Sequence, residues 1–139
     1  MAKIVLTDAK VTINSVVLSS SISSVTIDTK YDILETTGFG STGKTRVAGL
    51  ADNTVSLEFF QDYAAAAAEV TINAPGASLV GTTTTVVVQP ASTAVSTTNP
   101  TYTFTALVSE WQPLKGGIGQ LATASVTWPI TGTITKATS

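Results

Sequence analysis

Eight consecutive residues form the strongest chemical motif in the sequence. Gly38-Phe39-Gly40-Ser41-Thr42-Gly43-Lys44-Thr45 fits the Walker A pattern G-x-x-x-x-G-K-[ST], in which the lysine contacts phosphates and the hydroxyl binds Mg²⁺. A P-loop also needs a helix that begins at the motif and directs its N-terminus at the phosphates. The residues after Thr45 soon reach Gly49 and an Asp52-Asn53 turn signal, which leaves too few for that helix. A flexible loop between two strands is therefore favoured over a nucleotide site.

Acidic residues suggest a second kind of chemistry. Asp28, Asp32 and Glu35 lie close in sequence and could act as the paired carboxylates of a hydrolase. In an extended segment, Asp28 and Asp32 would share a face about 13 Å apart, at a rise of roughly 3.3 Å per residue. A glycosidase pair needs a smaller separation. Glu110 beside Trp111 could form a sugar-stacking corner, but a core or interface tryptophan on a strand is the more common case.

Missing residue types exclude several function classes. The chain of 139 residues contains no His and no Cys, which excludes Ser-His-Asp triads, His-ligated metals, thiolate zinc sites and disulfides. Six Lys and one Arg, with a net charge of −2, cannot form the basic surface that phosphate-backbone binding requires. The sequence therefore predicts no catalytic residues, no cofactor and no metal.

The composition favours a single β domain. Thr and Ser together supply 40 of the 139 residues, and the β-branched Thr, Val and Ile suit a pleated sheet. Only 12% of residues are charged, while the mean hydropathy is +0.34. We expect either a hydroxyl-rich surface or a surface covered by other subunits. No signal peptide and no membrane helix are expected, because no apolar run is long enough.

Alternating apolar and polar residues predict seven to nine strands and one short helix. The predicted architecture is a β-sandwich or partly closed barrel with a flanking helix at Asp62–Val70, where five alanines favour a helix. Asn14-Ser15 is predicted to turn a hairpin over Val11–Val17, and Pro129 and Gly132 to break the last long strand. A flexible N-terminal arm (1–9), a long loop (36–45) and a C-terminal arm (132–139) complete the domain. The other predicted strands are 23–31, 33–37, 44–48, 54–60, 82–89, 102–112 and 120–128.

Several sequence blocks, in order and spacing, resemble one family. The chain resembles the tail tube (major tail) proteins of long, non-contractile-tailed bacteriophages, the siphophages, and in particular those of phages that infect actinobacteria. The resemblance covers about Val11 to Thr138. It is carried by the blocks Glu35–Gly40, Thr45–Asp52, Ser56–Phe59, Gln61–Ala64, Asn99–Tyr102, Val108–Pro113, Gly119–Thr123 and Ser125–Gly132.

This resemblance implies a fold and an assembly. Six copies would form a ring by joining inner sheets into one β-barrel, rings would stack into a tube, and DNA would pass through the lumen without specific binding. Partners would be further copies and other tail proteins (tape measure, terminator, distal tail), and the location would be the virion after assembly in the host cytoplasm. Ring stacking would use both arms and the loop Thr36, Thr37, Gly38, Phe39, Gly40, Ser41, Thr42, Gly43, Lys44 and Thr45. Acidic residues that could face the lumen are Asp28, Asp32, Glu35, Glu58 and Glu110.

Other functions stay open at this point. A β-sandwich adhesion or binding module would suit Thr/Ser-rich strands. A capsid decoration or neck protein would share the expected fold. A P-loop-like nucleotide-binding protein is the least favoured alternative.

Overall fold

The computed structural model describes residues 3–64 and 67–139. The chain folds mainly into β-strands, and seven of them form one sheet in the order β2-β1-β7-β8-β9-β6-β3, with all neighbours antiparallel. A separate two-stranded sheet contains β4 and β5. The elements are β1 Lys10–Ile13, β2 Val16–Val17, a 3-10 helix Ser19–Ser21, β3 Ile22–Asp28, β4 Tyr31–Glu35, β5 Arg46–Ala51, β6 Thr54–Phe60, α1 Ala68–Ile72, β7 Thr83–Gln89, β8 Thr101–Leu107 and β9 Thr123–Ala137.

The longest strand, β9, joins the two halves of the sheet. Its residues 123–129 pair with β6, and its residues 130–137 pair with β8. A register shift opposite Thr103–Thr105 coincides with Gly132, whose φ of +83° is readily adopted only by glycine. The sheet therefore curls into a half-barrel, which confirms the predicted mainly β, partly closed architecture.

The concave side of this sheet holds the hydrophobic core. Successive residues of β6 and of the segment 123–130 of β9 alternate between buried and solvent-facing positions, as a pleated strand with one solvent-exposed face requires. Trp128 is fully buried, and Phe59 packs beside it with ring centroids 6.5 Å apart. Ala68 and Ile72 of α1 close the core from one side.

The predicted helix is shorter and later than expected. Gln61 to Ala64 are not helical, and α1 begins only at Ala68, so the helix predicted for 62–70 is wrong in its bounds. Two residues of the alanine run, 65 and 66, lie outside the described residues. Asp62 nevertheless accepts a hydrogen bond from the Ala64 N–H through Oδ1, at 2.9 Å. Among the described residues, no helix is long and apolar enough to cross a membrane.

Several other strand boundaries differ from the sequence prediction. The strand predicted over 102–112 ends at Leu107, and the strand predicted over 44–48 runs from Arg46 to Ala51. The segment predicted as one strand over 23–31 ends at Asp28, and Tyr31 begins β4 in a different sheet. The break predicted at Pro129 and Gly132 is absent, because β9 continues to Ala137. Residues 132–137 of the predicted C-terminal arm therefore pair with β8 or lie in its bulge.

Candidate functional site

A hairpin projects from the seven-stranded body. We call residues 31–51, which contain β4, β5 and the loop between them, the hairpin arm. Its apolar side chains are exposed on both faces: Ile33 is 73% exposed, Leu50 is 80% exposed and Phe39 at the tip is fully exposed. An isolated two-stranded sheet is marginally stable in water, and exposed apolar surface of this kind marks interaction sites. The hairpin arm is therefore the clearest contact element among the described residues.

The Walker-like motif lies in the loop of the hairpin arm. Thr36 donates its N–H to the Thr45 carbonyl at 2.8 Å, and Thr45 donates its N–H to Thr37 Oγ1 at 2.9 Å. Lys44 Nζ lies 3.9 Å from Glu35 Oε1 in an exposed ion pair. A strand, β5, follows the motif where a P-loop would place a helix. The segment thus lacks the geometry that cradles phosphates, and its ten residues form a loop, as the sequence predicted.

A polar surface covers the convex side of β3, β6 and the first half of β9. We call it the polar face; its members share the solvent-facing positions of these strands. No Lys or Arg occurs in β3, in β6 or in residues 123–129 of β9. Ser56 Oγ and Thr127 Oγ1 lie 3.2 Å apart across the strand pair. The polar face consists of Ser24, Thr26, Asp28, Thr54, Ser56, Glu58, Ser125 and Thr127, and two exposed apolar residues, Phe60 and Pro129, lie at its ends.

The five acidic residues singled out in the sequence fall into three places. Asp28 and Glu58 lie on the polar face, paired with Thr54 and Ser24 respectively. This register separates them by four strand positions, or about 13 Å at ~3.3 Å per residue, too far for a shared catalytic proton. Asp32 and Glu35 belong to the hairpin arm. Glu110 lies beside β9, where its Oε1 accepts the Thr127 N–H at 2.7 Å.

Trp111 is partly buried and packs against the core. Its indole ring meets the edge of Phe59 with ring centroids 5.0 Å apart, and its Nε1 donates to Glu69 Oε2 at 2.5 Å. The rest of the ring is partly exposed and lines a shallow pocket with Asn73, Val80 and Pro113. Glu110 and Trp111 are thus held by different partners, the Thr127 N–H and the Glu69 carboxylate, and Glu110 does not line the pocket beside Trp111.

The edge of β3 is free in the described part of the chain. β3 pairs with β6 on one side, and no strand pairs with its other side. Beside this edge runs a shallow groove of about 500 Å³, lined by Ile27, Thr29, Tyr102, Ile134 and Lys136. Within residues 3–64 and 67–139 there is no cluster of three or more acidic side chains that could hold a metal ion. The unpaired backbone of β3, rather than a pocket, is the second contact element.

Comparisons with known proteins bear on the fold. No protein-family model matches the sequence, and no curated protein matches it significantly. The structure is similar to a chain in the cryo-EM structure of the anti-feeding prophage baseplate, symmetrised six-fold, with a TM-score of 0.52 and 11% sequence identity. The similarity covers 98% of this chain and 97% of that chain. The two chains therefore share a fold over their whole lengths.

Proposed function

We propose that this protein is a structural subunit of a phage-type tail and that its copies assemble into stacked rings. One observation carries the proposal: a fold shared with a phage-derived baseplate chain here presents a free seven-residue strand edge and a protruding apolar hairpin. Free edges and exposed apolar hairpins are unfavourable in a monomer and are satisfied when identical copies join. The chemical features that would argue for an enzyme, paired carboxylates or a phosphate loop, do not come together in the described residues.

Within a ring, β3 is the proposed joining edge. The other outer strand of the sheet, β2, has only two residues, so β3 offers the longer row of unpaired backbone groups. A ring of identical copies requires two different surfaces that meet head to tail and close after a fixed rotation. The six-fold symmetry of the baseplate supports a hexameric ring.

Between rings, the hairpin arm is the proposed contact. Its loop, residues 36–45, lies at the end distant from the sheet, and its exposed Phe39 can pack on a neighbouring ring. The N-terminal segment also presents exposed apolar side chains, at Ile4, Val5 and Leu6. These two elements match the stacking contacts that the resemblance to siphophage tube proteins implies.

The polar face is the proposed lining of the tube. Its hydroxyls hydrogen-bond water, and its only charged side chains, Asp28 and Glu58, repel a phosphate backbone. Such a lining lets DNA slide during ejection without specific binding. On this proposal the protein is not an enzyme and needs no cofactor. It acts in the virion tail with other tail proteins, after assembly in the host cytoplasm.

Electron microscopy of the purified protein tests the proposal directly. We expect negatively stained tubes or six-fold rings at high concentration, and a strict monomer would contradict the proposed function. The Ser125 and Thr127 N–H groups point away from β6, so their partners Glu58 and Ser56 direct their own N–H groups toward β3. Ser24 and Thr26, opposite Glu58 and Ser56, therefore bond to β6, and the Val25 N–H between them points away from it. Val25→Pro removes that N–H and should abolish rings. Val25→Thr, which keeps the N–H and the β-branched shape, is the matched control and should assemble.

A further inference from the structure

A third stretch of strand edge exists in the seven-stranded sheet. β9 pairs with β6 along residues 123–129 but with β8 only along residues 130–137. The first half of β9 therefore has no paired strand on the side that faces away from β6. An uncovered edge of this length would be a template for strand addition by another chain.

The backbone N–H groups of this half-strand that point away from β6 nevertheless all have an acceptor already, except at a proline, which has no N–H. Thr127 donates to Glu110 Oε1 at 2.7 Å, and Ser125 donates to Gln112 Oε1 at 2.8 Å. Thr123 donates to the Lys115 carbonyl at 3.2 Å. The next position in the alternation is Pro129, which has no N–H. No donor on this edge remains for an incoming strand.

The segment that covers the edge is held by further hydrogen bonds. We call residues 110–113 the edge cover. Tyr63 donates its hydroxyl to the Pro113 carbonyl at 2.7 Å, and Gln61 Nε2 donates to the Gln112 carbonyl. Trp128 Nε1 donates to the Glu110 carbonyl at 2.9 Å. Because three hydrogen bonds hold the backbone of the edge cover, the side chains of Glu110 and Gln112 lose little further conformational entropy when they accept from β9.

We propose that Glu110 and Gln112 form an edge guard that closes β9 to strand addition by a second copy. The guard leaves β3 as the long edge at which copies join, and so gives assembly a single direction around the ring. A strand that added to β9 would first have to displace the Glu110 carboxylate and the Gln112 amide, which already accept hydrogen bonds from the N–H groups of β9. The hydrogen bond to Glu110 is the stronger of the two, because its acceptor is charged. The inference rests on the proposed self-assembly, and a second copy is the partner that the guard excludes.

The double variant Glu110→Ala/Gln112→Ala tests the edge guard. We expect amide hydrogen exchange at Ser125 and Thr127 in the free subunit to become at least about tenfold faster, because each amide loses its acceptor. We also expect irregular aggregates, visible by light scattering and negative-stain microscopy. Glu58→Ala removes the same charge from the polar face of the neighbouring strand and should change neither measurement. Glu110→Gln keeps an acceptor oxygen and should leave the edge closed.

Two results would overturn the edge guard. One is unchanged exchange at Ser125 and Thr127 in the double variant, and the other is faster exchange with regular, wild-type association. If the double variant does not fold, as judged by near-UV circular dichroism, Gln112→Ala alone gives the same comparison at Ser125. If the wild-type protein forms no rings or tubes, the proposed function fails, but exchange and light scattering of the variants still decide whether the edge is guarded.

Discussion

The hairpin arm and the β6–β9 pair are both antiparallel strand pairs, yet they are built from opposite patterns. In the β6–β9 pair, one face is buried and the other carries hydroxyls and acids. In the hairpin arm, every residue of β4 is exposed, although β4 includes Ile33 and Leu34. The first pair places its apolar residues where its own chain covers them. The hairpin arm places its apolar residues on surfaces that its own chain leaves exposed and that only another molecule could cover.

If the proposed assembly forms, this difference separates the contacts that stabilise the free subunit from those that stabilise the assembly. Burial of Leu57, Phe59 and Trp128 stabilises the body in the free chain. The exposed apolar side chains of the hairpin arm add little to that stability, because they stay in contact with water in the free chain; in the proposed assembly a second copy would cover them. The same residue type therefore has a different role in each region.

The largest expected effect comes from one substitution made in both regions. Leu57, in β6, is 1% exposed, whereas Leu34, in β4, is 53% exposed. Leu57→Ala should lower the free energy of unfolding of the free subunit by about 2–5 kcal/mol, through lost burial and a cavity. Leu34→Ala should lower it by less than about 0.5 kcal/mol. Urea denaturation followed by tryptophan fluorescence measures both.

Similar losses of unfolding free energy in Leu57→Ala and Leu34→Ala would contradict the proposed difference between the two regions. Such a result would mean that the free subunit packs the hairpin arm on its own body. If only Leu57→Ala lowers the free energy of unfolding and only Leu34→Ala impairs tube formation, then β6 stabilises the folded subunit and β4 takes part in ring stacking.

Hydrogen exchange gives the next largest effect. In the free subunit, amides of loop residues 39–40 and 42–44 and of residues 3–6 should exchange close to the unprotected rate, because these residues are exposed and few buried contacts hold them. In tubes, those amides should slow by at least about tenfold as a neighbouring ring covers them. Residues 135–137, predicted as part of a mobile C-terminal arm, pair with β8 and now serve as a protected reference. Equal exchange of the loop in free subunit and tube would refute its role in stacking.

The parts of the fold predicted from sequence are those governed by local pattern. Thr54–Phe60 alternates strictly, and β6 has the predicted bounds. The turn at Asn14-Ser15 is also confirmed, and both residues have positive φ, 51° and 67°, as a tight hairpin turn requires.

The parts that were missed depend on contacts distant in sequence. The alanine run has high helix propensity, but Tyr63 bonds the Pro113 carbonyl and Gln61 bonds the Gln112 carbonyl, so the chain before α1 is held in a non-helical path. Pro129 does not break β9, because it lies where the strand changes partner from β6 to β8. The position of the Glu110 side chain could not be predicted from the sequence, because the N–H group from which it accepts a hydrogen bond is 17 residues away.

The smallest expected effect concerns Lys44, the lysine of the Walker-like motif. An exposed ion pair with Glu35 is worth roughly 0–1 kcal/mol, so Lys44→Ala should leave the melting temperature of the free subunit nearly unchanged. ATP with Mg²⁺ should shift the melting temperature of neither the wild-type protein nor the variant, because a strand, β5, follows the motif where a P-loop has a helix. On the proposed function, Lys44→Ala subunits should also form tubes of normal length, because the proposed stacking contact of the loop uses the exposed Phe39 rather than the ion pair. A shift with ATP that disappears in Lys44→Ala would instead assign the hairpin arm to nucleotide binding, and the contrast between a self-sufficient body and an assembly-dependent arm would have to be abandoned.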